Sequence, residues 1–189
     1  MKYDLNKKIT RGAQRTLEAF SNTMFDLLAK KSVESITVNE LCEISNFPRA
    51  TFYNYFDDKY DLLNYCWYLI SKQLQLEQHK QLSSKEALTI FFDRIYHIFL
   101  ENMDSLTDIL RHNPPNSYLV NHFNAYFKQV MQGIFYECLE FQDHTVPLEI
   151  IADHFSNTVL LILEWIFIKQ RPITLDEAHN YLISLLGEL

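Results

Sequence analysis

The run NFPRATFYNYF, residues 46–56, decides the fold: five aromatic rings, a proline and a single arginine fall within eleven positions. Phe52 and Phe56 stand four apart, the spacing that puts two side chains on one face of a helix. Pro48 fixes its own φ and pushes the preceding Phe47 out of the helical region, so a helix begins at Pro48 or Arg49. Asn46 tolerates the left-handed backbone that a tight turn requires. The expectation is a helix of about two turns, anchored inward by its two phenyl rings. Arg49, Ala50, Thr51, Tyr53, Asn54 and Tyr55 are left to its flanks and outer face.

Working outward, Ala13, Leu17, Phe20, Met24, Leu27 and Leu28 recur at the three-and-four spacing of an amphipathic helix. Thr37, followed three residues later by Glu40, has the pattern of a capping box and opens a short second helix that ends near Ser45. Asp58 and Asp61 repeat that spacing and restart the chain as a fourth helix. Two short helices joined by a tight turn, after a longer packing helix, are the parts of a helix-turn-helix. In that motif one helix braces and the next enters the DNA major groove. Tyrosine hydroxyls suit phosphate oxygens, and arginine or asparagine can reach base edges.

The stretch TVNELCEISNFPRATFYNYFDDKYDLL, residues 37–63, resembles the TetR/AcrR family of bacterial transcription regulators. The likeness rests on the T-x-Y-x-(Y/H)-F-x-x-K-x-x-L run formed by Thr51, Tyr53, Tyr55, Phe56, Lys59 and Leu62. It covers about residues 9–65 and extends to the order of the helices behind. The resemblance implies an all-α homodimer of about nine helices. Residues 1–65 would form a helix-turn-helix DNA-binding domain, with the fourth helix running on to about residue 82. Residues 66–189 would form a C-terminal helical bundle that dimerises and takes an effector. By position, Thr37 would meet phosphate, Arg49, Ala50, Thr51 and Asn54 would face bases, and Tyr53, Tyr55 and Lys59 would grip the DNA backbone. The chain departs from the family pattern where Asn46 replaces a glycine and Pro48 replaces a small capping residue, which removes a side-chain cap.

Net charge is −7, yet residues 1–60 hold nine Lys and Arg against eight Asp and Glu, while the remainder holds eight against sixteen. The excess of acid therefore lies away from the expected DNA-binding region. Three glycines and five prolines are too few for a β-sandwich, and long helices follow. A composition boundary falls near residues 75–84. The chain starts without the apolar core of a signal peptide, and the apolar run VLLILEWIFI, residues 159–168, is short for a bilayer and carries Glu164. A cytoplasmic protein without a membrane segment is the expectation.

Glycine-rich phosphate loops, nucleophile elbows and zincin motifs are absent from the sequence, so no enzyme, catalytic residue or cofactor is expected. Cys42, Cys66 and Cys138 form no CxxC pair and are read as reduced core thiols. Asp93/His97, Asp108/His112 and Glu140/His144 each have the i, i+4 spacing of two ligands on one helix face. They lack a further His/Cys cluster, so no metal site is assigned. Phe91, Tyr96, Phe99, Tyr126, Phe127 and Trp165 are the rings that a ligand cavity could use, although ordinary packing would use them equally well. Ligand residues stay unassigned. Ile150, Ile151, Phe155, Val159, Ile162, Trp165 and Ile166, followed by Leu175, Ala178, Leu182, Ile183, Leu185 and Leu186, form two apolar helices suited to a twofold four-helix bundle.

These readings lead to an expected homodimeric repressor on a palindromic operator, with double-stranded DNA and a small apolar effector as partners. The alternatives are a TetR-like activator controlled by a protein partner and a metal-responsive regulator using the Asp/His pairs.

Overall fold

The computed structural model describes residues 10–73, 84–139 and 145–187. Among them are nine α-helices and no strand: α1 (Arg11–Leu28), α2 (Val38–Ser45), α3 (Arg49–Tyr55), α4 (Lys59–Gln73), α5 (Ser84–Glu101), α6 (Met103–His112), α7 (Tyr118–Leu139), α8 (Leu148–Leu163) and α9 (Leu175–Leu186). A single 3-10 turn, Val33–Ser35, links α1 to α2, and α8 runs on into a wider π-turn, Glu164–Ile168. The basic residues Lys2, Lys7 and Lys8, the expected boundary near residues 75–84 and the Glu140/His144 pair fall wholly or mostly outside the described residues.

The first three helices follow local rules closely. Thr10 caps α1 by accepting from the Ala13 amide at 3.2 Å. All six apolar positions read from the helical period are buried. Asn46 ends α2 in the left-handed region, φ 57° and ψ 40°, where Asn is among the best tolerated of non-glycine residues. The Phe47 amide closes the turn on the Cys42 carbonyl at 3.0 Å. Pro48 then stands as the N-cap of α3 with no side-chain cap bond, so the helix starts at Arg49, within the expected bounds.

The capping box read at Thr37 is only half formed. Thr37 Oγ1 accepts from the Glu40 amide at 3.2 Å, but the Glu40 carboxylate turns away to Lys31 Nζ at 2.6 Å. An ion pair to the end of α1 wins over the return bond, and it ties α2 to α1 instead of closing on its own turn. Thr174 and Glu177 form the complete box at the start of α9. At α4, Asp58 Oδ1 accepts from the Tyr60 and Asp61 amides, while Asp61 Oδ2 accepts from the Asp57 amide.

One contiguous apolar core runs from Leu17 in α1 to Leu182 in α9. Phe20 forms its N-terminal hub, with ring centroids 5.2 Å from Phe52, 5.6 Å from Phe47 and 6.3 Å from Phe56. Trp67 carries the core across from α4, 6.5 Å from Phe25 of α1 and 5.2 Å from Phe123 of α7. Helices α7 and α8 pack along each other and are also joined by Lys128 Nζ to Asp153 at 2.8 Å. Cys42 and Cys66 are buried free thiols.

The segment Leu148–Ile168 is a continuous helical stretch of 21 residues, long and apolar enough by length and composition to cross a membrane, unlike the shorter run read from the sequence. Half of its most apolar window is buried among neighbouring helices, as in a core helix. Within one chain the two terminal helices leave part of their apolar surface uncovered. Ile150 and Trp165 on one helix, and Ile183 and Leu185 on the other, are 46–58% exposed.

Candidate nucleic-acid interface

Helix α3 is a two-turn rod pinned from one side. Phe52 and Phe56 are fully buried, their rings 5.3 Å apart, and Phe56 also meets Tyr65 of α4 at 5.9 Å. Because side chains four apart share a face, that inward anchoring turns the remaining positions outward. Arg49, Ala50, Tyr53 and Asn54 are exposed, whereas Thr51 and Tyr55 are half-buried on its flanks. Arg49 Nη2 donates to the Tyr53 hydroxyl at 3.3 Å, and its guanidinium carbon lies 5.8 Å from the Tyr53 ring centroid. These two side chains therefore form a single unit on the outer face. Thr37 is exposed at the amino end of α2, where unpaired backbone amides and the helix dipole suit a phosphate. Arg11 and Arg15 are exposed on the first turns of α1.

Lys59, expected to grip phosphate, is held by backbone carbonyls of the link between α1 and α2. Its Nζ donates to the carbonyls of Val33, Glu34 and Ile36 at 2.9, 2.6 and 2.8 Å. Those three bonds use all three ammonium protons. Burial lowers its pKa, with Glu34 and then Asp58 opposing that shift. The ammonium gathers carbonyls from the link between α1 and α2 and fixes α4 beneath the helix-turn-helix. A phosphate contact would cost it one of these bonds.

Behind this face lies a cavity of about 450 Å³ between α1 and the C-terminal helices. Of the six rings considered for a cavity, Phe99 alone lines it, joined by Phe25, Trp67 and Phe123. Phe91 and Phe127 are core residues, Tyr96 donates its hydroxyl to the Ile173 carbonyl at 2.8 Å, and Trp165 faces outward. The Asp/His pairs are engaged elsewhere. Asp93 Oδ1 meets His179 Nε2 at 2.6 Å, His97 Nδ1 bonds the Asp93 backbone carbonyl at 2.7 Å, and Asp108 pairs with Arg111 at 2.7 Å. Among the described residues no three His, Cys, Asp or Glu side chains gather as a metal site.

Asn113 is not among the residues singled out from the sequence. It is fully buried, and its Oδ1 accepts from the Val33 amide at 3.0 Å. Its Nδ2 is shared among the carbonyls of Leu28, Ile109 and Lys31 at 3.1, 3.1 and 3.3 Å. No local pattern marks such a residue, because its partners in the first helical region lie 80 to 85 positions away.

No protein-family model matches the chain, and no curated protein does. Among solved structures it is similar to a protein from Syntrophomonas wolfei assigned to the TetR family of transcriptional regulators, at 18% identity and TM-score 0.69, covering 93% of this chain and 97% of that one. It is also similar to the transcriptional regulator FadR from Bacillus subtilis, solved with stearoyl-CoA, at 13% identity and TM-score 0.62, over 93% and 98% of the two chains. A third is the dihydroxyacetone kinase operon activator DhaS, at 17% identity and TM-score 0.59, over 90% and 93%. The chain has the all-helical fold of TetR-family regulators.

Proposed function

We propose that the protein is a sequence-specific DNA-binding transcriptional regulator acting as a homodimer on a palindromic operator in the cytoplasm. The observation that carries this reading is the outward face of α3, where Arg49, Ala50, Tyr53 and Asn54 project from a helix locked by two buried phenyl rings. Thr51 and Tyr55 flank that face, and Thr37 presents the amino end of α2 beside it. A rigid two-turn helix with small and polar outer residues suits the width of a major groove. Selection of tight binders from random duplexes tests the reading. An inverted repeat with half-site centres about one helical turn apart, or a multiple of it, is expected. Recovery of no common sequence overturns it.

Dimerisation is assigned to α8 and α9. Leu161, Trp165, Tyr181 and Leu185 are 43–54% exposed and share one shallow apolar hollow. Exposed patches of this kind mark protein interfaces. Ile162, which the sequence reading grouped with Trp165, is 3% exposed and belongs to the chain's own core. Trp165→Glu should therefore leave a folded monomer in sedimentation, whereas Ile162→Glu should unfold the chain.

Repression by occupying a promoter is the primary reading. The activator reading has one specific support, the named activator among the similar structures. A reporter gene placed behind the selected operator separates the two by the sign of its response.

A further inference from the structure

Phe52 within α3 and Phe56 at its C-cap are buried together, and Asn54 stands midway between them in the chain. At about 100° per residue, the position two places from each anchor points away from both. Asn54 is therefore the outermost side chain of the helix, and it is exposed. Ala50, about one turn earlier on the same ridge, is exposed beside it. Arg49 and Tyr53 are tied to each other along one edge of that ridge, and Thr51 and Tyr55 lie half-buried along the other. We propose that Asn54 and Ala50 read an A·T-containing step in each half-site, Asn54 by gripping adenine with both groups of its amide and Ala50 by packing its methyl on a nearby thymine. This inference rests on the reading of α3 as the DNA-binding helix given above, and it names the bases that the helix selects.

The adenine assignment follows from the pattern of an amide. Asn54 offers a carbonyl oxygen that accepts and an amino group that donates. Among the described residues no hydrogen bond within the chain occupies either group. In the major groove adenine sets a donor, its N6 amino group, beside an acceptor, N7. Guanine sets two acceptors side by side, and cytosine and thymine each present a single polar group. An amide pressed on any base but adenine therefore leaves one of its two groups without a partner, and a desolvated polar group in that state costs more than the remaining bond returns.

The thymine assignment follows from the lack of any polar atom on the Ala50 side chain. The apolar group that a base edge presents in the major groove is the C5 methyl of thymine, and an alanine methyl suits it. Four residues separate Ala50 from Asn54, about 6 Å along a helix that rises about 1.5 Å per residue. Successive bases on a strand are about 3.4 Å apart, so the thymine lies one or two base pairs from the adenine. The small side chain at position 50 has a second effect. It keeps the ridge low beside Asn54, so the short asparagine amide can reach the floor of the groove.

The test selects binders from random duplexes with the full wild-type chain, Asn54→Ala and Ala50→Gly, and then titrates the wild-type winner carrying single base analogues. Wild type should fix an adenine in each half-site. Asn54→Ala should lose the preference at that position and keep the others, with circular dichroism unchanged. 7-Deazaadenine at that position lacks the N7 acceptor and should weaken wild type about tenfold while hardly affecting Asn54→Ala. Deoxyuridine for the nearby thymine removes only the methyl and should weaken wild type about fourfold, and Ala50→Gly hardly at all. The wild-type arm decides the methyl contact even if Ala50→Gly loses helix. Selection of the same adenine by Asn54→Ala, or undiminished wild-type affinity with 7-deazaadenine at every half-site adenine, overturns the adenine contact. Undiminished wild-type affinity with deoxyuridine at every half-site thymine overturns the Ala50 contact. If wild type selects an inverted repeat and these arms fail, this inference alone is sunk. If wild type selects no common sequence, the regulator reading falls and takes this inference with it.

Discussion

The two ends of the molecule place the same kinds of side chain in opposite directions. At α3 the phenyl rings of Phe52 and Phe56 are fully buried, and the outer face is left to Arg49, Ala50, Asn54 and the hydroxyl-bearing ring of Tyr53. In α8 and α9 the inner positions are equally apolar, yet Trp165 and Tyr181 remain 46% and 43% exposed. A helix that buries its phenyl rings and turns charged, amide and hydroxyl groups outward presents a surface for a polar partner. One that keeps apolar residues outside presents a surface for another protein. That difference is the ground on which DNA is proposed for one end and a second copy for the other.

The largest expected effect comes from breaking the inward half of α3. Phe56→Ala empties a site shared with Phe20, Phe52 and Tyr65 and should cost about 3–5 kcal/mol in chemical denaturation. A loss well under 1 kcal/mol would mean that the helix is not anchored there. Lys59→Met sharpens the comparison further. Loss of its three carbonyl bonds should lower stability by about 2 kcal/mol, measured in the same way. Unchanged stability with weakened DNA binding would return Lys59 to the phosphate backbone.

A smaller effect should separate the junction from both ends. Burial holds the His122 imidazole below its ordinary pKa of 6.5, and neutral Nδ1 accepts the Trp67 N–H. A protonated ring cannot accept that bond. The folded pKa is the lower one, so the contribution is complete above the unfolded value and is lost as pH falls through the folded value. Thermal unfolding followed from neutrality to about pH 5 should show this loss, and His122→Asn should reduce it. An identical pH dependence in the variant would remove His122 from the junction.

What could be read in the sequence was what neighbours in the chain determine. The left-handed turn at Asn46 and the start of α3 after Pro48 depend on a few adjacent residues, and both stand where they were expected. Side chains that reach across the fold were not legible. Glu40 had a local partner in Thr37, but Lys31 offered a stronger charged one. Lys59 matched a motif position, yet its direction depends on carbonyls more than twenty residues earlier. Helical period alone could not separate Ile162 from Trp165, because both belong to an apolar helix and only the packing of neighbouring helices decides which of them is covered.

The most direct test of the account is the affinity of wild type, Arg49→Ala and Tyr53→Phe for a selected operator and for a scrambled duplex, at two salt concentrations. If the outer face of α3 reads DNA, Arg49→Ala should lose about 1–3 kcal/mol on the operator and much less on the scrambled duplex. Tyr53→Phe should lose about 1 kcal/mol on both duplexes, with circular dichroism of both variants unchanged. Wild-type affinity and discrimination in both variants would contradict the account and place the DNA contact on another surface.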